Sequence, residues 1–374
     1  MTLNLSILPG VAALATVLGL PLAPAALAQS AVQLETVGAG LSYPWSVAIL
    51  PDEGFLVTER DGAVKHIDPS GRQSEVAGAP EVFAQGQGGL LDVALSPDFS
   101  SDRTVFLTYS QGSPEGAGTS LFRARLADAF EGGFVLEDGQ TIFSGNNRAY
   151  GGRHFGSRLA FAPDGTLFMT VGERGDGERA QDTADHAGSV LRLTRDGQPA
   201  PDNPFVDQEG VKPEIWSYGH RNPQAAAIHP DTGVLWTVEH GARGGDEINI
   251  PEAGKNYGWP VISYGRHYSG GKIGVGTSKD GMEQPIHYWD PSIAPSGMAF
   301  VTSDLYPEWK GDMLVGALAG RHLARVDLED GKVVGEEKLL TDLGERIRDV
   351  RQGPDGYIYV LTDSDDGRLL RLKP

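Results

Sequence analysis

The chain has no cysteine among its 374 residues. No disulfide can staple the fold, and no thiol can serve as nucleophile or metal ligand. This gives no support for an oxidising compartment, yet it is compatible with one. Positive charge is scarce: 31 Lys and Arg face 50 Asp and Glu, for a net charge of −19. Such a field argues against nucleic acid and anionic membrane as partners. An anionic ligand would need Arg or Lys gathered locally. Sustained helical periodicity is also nearly missing, and beyond the first residues no apolar run is long enough to span a bilayer.

The N-terminal stretch, Met1 to Ala28, is uncharged and rich in Leu and Ala. It ends in Ala26-Leu27-Ala28, the A-x-A form of a secretory cleavage site. Residues 1–28 therefore read as a signal peptide, which places a mature chain of 29–374 in the periplasm or outside the cell. Only the free amino terminus supplies positive charge to its n-region. A membrane anchor is the alternative, and Pro9, Pro21 and Pro24 interrupt the run it would need.

What the chain has in quantity is turns. There are 51 Gly and 24 Pro, separated by regular apolar runs, which signals tight turns rather than disorder. Six times an apolar segment enters a turn and resumes: at Pro51-Asp52, Pro97-Asp98, Pro163-Asp164-Gly165, Pro230-Asp231, a degenerate Thr302-Ser303-Asp304, and Pro354-Asp355-Gly356. The stretches Ser157 to Val171 and Asp349 to Thr362 have the form of β-hairpins. Further short strands are expected at 188–194 and 368–372. Four strands per unit fit the spacing, so the expected fold is all-β, a six-bladed β-propeller in one domain from about residue 30. A β-sandwich or two smaller β domains is the alternative.

Upstream of several turns, at nearly one offset, stands a polar residue that a strand would not choose. Gln87 lies ten residues before its proline and His154 nine. Arg221 and Asn222 lie nine and eight before theirs, Arg346 and Arg348 eight and six. A repeated offset in a repeated unit implies a repeated place in space, so these residues are expected to ring one mouth of the channel. Strand alternation puts Arg346, Arg348 and Val350 on one side. A neutral His at a channel mouth can act as a general base near pH 7, although a lone His is more often structural. Each Arg alone reads as a surface ion pair. Three converging in so acidic a protein suggest a phosphate or polycarboxylate ligand. The segment Glu239-His-Gly-Ala-Arg-Gly-Gly-Asp-Glu-Ile-Asn mixes carboxylates with flexible carbonyls. That suits Ca²⁺ as well as it suits a plain polar loop.

Together the motifs resemble the soluble, pyrroloquinoline-quinone-dependent sugar dehydrogenases of the glucose/sorbosone dehydrogenase type. They are Pro44-Trp45, Gly86-Gln-Gly-Gly-Leu-Leu, His154-Phe-Gly-Ser-Arg-Leu, Tyr218-Gly-His-Arg-Asn-Pro-Gln, Gly244-Gly-Asp-Glu-Ile-Asn, Lys255-Asn-Tyr-Gly-Trp-Pro and Arg346-Ile-Arg-Asp-Val. The resemblance runs from about Leu41 to the C-terminus. It implies oxidation of aldoses at C1, with His154 as the base and electrons passed on to an unidentified acceptor. It implies that Gln87, Arg221, Asn222, Arg346, Ile347 and Arg348 hold pyrroloquinoline quinone, with Tyr268 against its ring and Ala317, Leu318 and Ala319 beside it. It further implies one Ca²⁺ on the carbonyls of Gly241 and Ala242, and a structural Ca²⁺ at Glu247 and Tyr257.

Two positions depart from the pattern. Ala319 stands where the family has a quinone-contacting Lys. Arg153 stands where the glucose-specific branch has an Asp. The remaining alternatives are a Ca²⁺-dependent hydrolase such as a lactonase and a non-catalytic carbohydrate-binding propeller.

Overall fold

A computed structural model describes residues 1–2, 32–51, 54–130 and 132–374. The signal-peptide reading falls outside the described residues. Among those described, no helix is long and apolar enough to cross a membrane. Val32–Pro374 forms one compact unit.

The unit is a six-bladed β-propeller, each blade a four-stranded antiparallel sheet. The innermost strands are Pro44–Leu50, Leu90–Leu95, Leu159–Phe161, Pro223–Ile228, Pro295–Phe300 and Ile347–Gln352. Each of the six turns read from the sequence connects an innermost strand to the second strand of its blade. In two blades the Asp side chain closes the turn. In the third blade Asp164 Oδ1 accepts from the Thr166 amide at 2.9 Å, and in the sixth Asp355 Oδ1 accepts from Tyr357 at 3.2 Å. The strands expected at 188–194 and 368–372 are Ser189–Leu193 and Gly367–Lys373.

One strand had no sequence signal. Gln33–Leu41 completes the last blade by pairing antiparallel with Gly367–Lys373, from Gln33 opposite Lys373 to Leu41 opposite Gly367. The ring is thus closed by an early strand built into the blade that the last strands form.

Apolar residues fill the spaces between adjacent blades. Leu56, Leu107 and Leu126 pack between the first and second. Trp236, Met298 and Phe300 do so between the fourth and fifth. Burial on both faces explains why strands such as Leu167–Val171 read as continuous apolar runs rather than alternating ones.

A second repeat is not visible in the sequence. Five innermost strands shift register near their first residues, at Pro44/Ser46, Leu90/Val93, Pro223/Ala225, Pro295/Met298 and Ile347/Asp349. A bulge bends the strand and re-aims the side chain within it. This corrects the alternation expected for the last blade. Arg348 faces the channel, while Ile347 and Val350 sit in the core between the fifth and sixth blades.

Candidate active site at the channel mouth

The bulges define a floor. Trp45, Leu91, Gln224 and Arg348 occupy them, and all four line one cavity of about 250 Å³ together with Gln87, Arg346 and Leu318. Below it, an ionic cluster crosses the axis. Arg158 Nη1 lies 3.0 Å from Asp92 and 3.0 Å from Asp349. Arg351 reaches the same carboxylates at 2.9 and 3.0 Å. Ser46 Oγ donates to Asp92 at 2.6 Å, and the Arg158 guanidinium lies 4.4 Å above the Trp45 ring.

At the mouth a chain of hydrogen bonds passes from blade to blade. Gln87 Oε1 accepts from the His154 amide at 2.7 Å. Two residues on, the Gly156 amide donates to Asn222 Oδ1 at 3.1 Å. Gln224 Nε2 donates to the same oxygen at 3.2 Å, and Gln224 Oε1 accepts from Arg348 at 3.3 Å. Asp363 joins Arg348, at 3.3 Å, to Arg346, at 2.8 Å. Arg346 Nη1 ends the chain on the Leu318 carbonyl at 3.4 Å. Gln87, His154, Asn222, Arg346 and Arg348, drawn from four blades, therefore meet as the repeated offset required. Arg221 closes the gap between blades through its carbonyl, which accepts from the Glu173 amide at 3.0 Å.

His154 opens on a second recess of about 290 Å³, lined also by Arg153, Glu173, Arg221, Trp259 and Tyr268. It has a left-handed backbone, φ 57°, a conformation costing about 1–3 kcal/mol that a non-glycine residue keeps only under restraint. The restraint is visible. Besides Gln87, the Arg174 amide bonds the His154 carbonyl at 3.3 Å. The Arg174 guanidinium lies 3.4 Å over Phe155 and donates to the carbonyls of Gly151, Arg153 and Ala117.

The decisive partner is Glu173, which sequence reasoning missed. His154 Nδ1 lies 2.5 Å from Glu173 Oε2, and that oxygen also accepts from the Gly175 amide at 2.7 Å. The carboxylate fixes the tautomer: Nδ1 carries the proton and Nε2 keeps its lone pair. Burial pushes the His154 pKa down. Glu173 partly offsets this, and Arg221 and Arg153 lower it further. The imidazole is thus neutral at pH 7. Glu173 follows Val171-Gly172 at the mouth end of a second strand, a position that the offset from the prolines does not mark.

Other positions divide. Tyr268 reaches the recess from the long connection between strands Asp246–Asn249 and His287–Trp289, and is 73% exposed. Leu318 lines the cavity, Ala317 is buried in a blade core, and Ala319 is exposed with its amide on the Ile293 carbonyl at 3.0 Å. Ile347 points away from the cavity. Arg60 and His240 line it and were not anticipated. His240 donates to the Pro295 carbonyl at 2.6 Å, and burial drives its pKa down to about 3, so it adds no charge.

Three buried donor atoms at the mouth have no partner: Arg221 Nε, Asn222 Nδ2 and Arg348 Nε. Buried donors left open in this way suit a ligand rich in acceptors. Among the described residues, no group of three or more His, Cys, Asp and Glu side chains gathers as a metal cluster. Any cation would depend on carbonyls and single carboxylates. The Gly241 carbonyl already receives a cation, the Arg221 guanidinium. Glu247 is half-buried, and its carboxylate accepts from Asn249 at 3.2 Å. Burial first and the Glu239 charge second raise its pKa well above the carboxylate range. The Tyr257 hydroxyl is committed to the Ile250 carbonyl at 2.5 Å and the Glu252 amide at 3.0 Å, which leaves only its main-chain carbonyl.

Nearby, Ser217, His220 and Glu239 form a relay with two 2.9 Å contacts, the arrangement of a nucleophilic triad. Ser217 and His220 are 0% exposed, so no substrate reaches them. Glu239 instead holds the Arg221 amide at 2.6 Å. This relay braces the mouth.

Against known proteins, the family description Glucose / Sorbosone dehydrogenase matches residues 41–371. Aldose sugar dehydrogenase YliI of Escherichia coli (strain K12) is 45% identical over 352 residues, covering 93% of this chain and 94% of that protein. A crystal structure of a glucose dehydrogenase superposes with a TM-score of 0.89 at 47% identity, over 91% of this chain and 99% of the other. The PQQ-bound form of the aldose sugar dehydrogenase (Adh) from Streptomyces coelicolor superposes with a TM-score of 0.75 at 32% identity, over 91% and 98%. The chain belongs to the glucose/sorbosone dehydrogenase family.

Proposed function

We propose that the protein oxidises aldoses at C1 to lactones, using pyrroloquinoline quinone and Ca²⁺ and passing electrons to an external acceptor. The observation that carries this reading is the neutral, Glu173-oriented imidazole of His154, set beside a cavity with guanidinium groups and unpartnered buried donors. The solved quinone-bound relative supports the cofactor. A hydrolase would need a metal and a base but has no use for a surplus of arginines.

Arg221, Asn222, Arg346 and Arg348 would hold the quinone's carboxylates and carbonyls, with Gln87 on the other side and Tyr268 against the ring. When bound, pyrroloquinoline quinone supplies the two-electron acceptor that amino-acid side chains lack. Ca²⁺ on the Gly241 and Ala242 carbonyls would replace the guanidinium contact now made there, and would supply Lewis-acid polarisation. A second Ca²⁺ at Glu247 and the Tyr257 carbonyl would neutralise a carboxyl that burial alone disfavours in its charged form.

The chain's own part is proton transfer and orientation. His154 Nε2 takes the proton of the anomeric hydroxyl, and Glu173 stabilises the imidazolium that forms, at Nδ1. Arg174 and Gln87 hold the backbone that carries the ring. The test is reconstitution: apoprotein with the quinone and Ca²⁺, a panel of aldoses, and reduction of an artificial dye. Cofactor-dependent dye reduction with lactone as product is expected. Lactone hydrolysis without dye reduction would establish the hydrolase reading instead, and inactivity in both assays the binding one.

A further inference from the structure

Arg60 lines the central cavity beside Gln87, Arg346 and Arg348, on a loop following the first blade's second strand. Its guanidinium lies 4.6 Å over the Tyr43 ring, and among the described residues it has no ion-pair partner. The next residue, Asp61, turns its carboxylate to the Ala63 amide at 3.4 Å instead. An aromatic face orients a guanidinium without cancelling its charge. The fold also makes room for it. A Cβ on Gly89, at φ 146°, would stand 1.7 Å from the Arg60 carbonyl oxygen and 2.8 Å from its Cγ, so Arg60 lies against a position only glycine can fill.

The charge count at the cavity then matters. Three guanidinium groups face it, from Arg60, Arg346 and Arg348, and a single carboxylate, Asp363, answers them. Asp363 shows their influence. Burial raises its pKa, but Arg348 and Arg346, with Arg60 among the contributors, hold it below the ordinary value. The carboxylates of the ionic cluster underneath are already taken by Arg158 and Arg351. A cavity with this much unanswered charge in a protein of net charge −19 is built for a ligand bearing more than one negative group.

We propose that Arg60 is an anion-binding residue of this cavity and pairs with a carboxylate of the cofactor. The proposal rests on the reading of the cavity as a quinone site. Arg60 stands on the first blade, next to the sixth blade that carries Arg346 and Arg348, so it would grip the ligand from a second direction and fix its rotation as well as its affinity.

The test is equilibrium binding, read by quenching of tryptophan fluorescence as pyrroloquinoline quinone is added to apoprotein with Ca²⁺. Arg60→Gln should bind roughly 10- to 100-fold more weakly, the usual scale for truncating one member of a desolvated charge pair. Arg60→Lys should recover most of the loss. The quinone's trimethyl ester, which lacks carboxylate charge, should bind wild type and Arg60→Gln alike. Thermal unfolding of the two apoproteins should coincide. Equal affinity of wild type and Arg60→Gln for the free acid would overturn the assignment, as would an equal loss for the ester. If wild type itself fails to bind the quinone, the reading of the site falls first and the role of Arg60 with it.

Discussion

Halfway down the channel, Arg158 and Arg351 meet Asp92 and Asp349, and each carboxylate touches both guanidinium groups. One donor, Arg158 Nη2, lacks a hydrogen-bond partner, but its guanidinium rests on the Trp45 ring. At the mouth, Arg346 and Arg348 share Asp363, and among the described residues Arg60 has no ion pair. The two layers are neighbours on the same strand: Arg348 belongs to one, Asp349 and Arg351 to the other. Residue type therefore says little about role in this protein. Local charge balance says more. A neutralised cluster holds blades together, and an unbalanced one awaits a ligand.

Removing Arg158 breaks the closed layer hardest. Arg158→Leu leaves two buried carboxylates with Arg351 alone, and breaking a buried pair from one side costs about 3–5 kcal/mol. Urea unfolding should show that loss. Replacing Arg158, Asp92 and Asp349 together by apolar residues of similar volume should restore most of it, because the uncompensated charges go too. A single substitution without effect on unfolding would deny the cluster its structural role.

His154→Ala breaks the open layer in the opposite manner. Turnover of the reconstituted protein should fall ~10²-fold or more, the scale of a lost general base. Unfolding and quinone affinity should barely move, since His154 contributes a ring to the recess rather than a charge to the cavity. Turnover comparable to wild type would remove His154 from the mechanism.

The propeller itself was legible because its repeat is punctuated by prolines, and those prolines mark strand ends whatever else the blades contain. The mouth was legible to the same extent. Gln87, His154, Arg221 and Arg346 stand eight to ten residues before such a mark. Glu173, Arg60 and His240 were not, because they stand at the ends of second strands, ten, nine and ten residues after their prolines, whereas the offset that marked the others runs before them. The bulges were invisible for a different reason. A bulge is a mismatch between two strands, and either strand alone looks regular. For that reason Val350 was placed with Arg348 although the structure separates them. Ala319, which looked like a missing charge, does not line the cavity, and Arg60 does so from another blade.

Arg346→Ala should have a smaller effect, confined to the ligand. The side chain is half exposed, and its contacts to Asp363 and the Leu318 carbonyl are peripheral to any core. About a tenfold loss of quinone affinity is expected, with the melting temperature unchanged. Stability loss without affinity loss would move Arg346 into the structural layer and weaken the distinction drawn between the two.

The finest test concerns pH. Burial holds the His154 pKa below its ordinary 6.5, and Glu173 opposes that shift. The base must be unprotonated to act, so turnover should rise with pH along an acid limb whose midpoint lies below 6.5. It should be flat above, until another group titrates. Glu173→Gln removes the charge that favours the imidazolium, so the pKa should fall further and the acid limb move to lower pH. The plateau should drop as well, because the imidazolium formed during proton transfer loses its counter-charge. A merely structural Glu173 would lower the plateau and leave the midpoint in place. A limb moving to higher pH would contradict the assigned electrostatics outright, since it would require the carboxylate to have disfavoured the proton it faces at 2.5 Å.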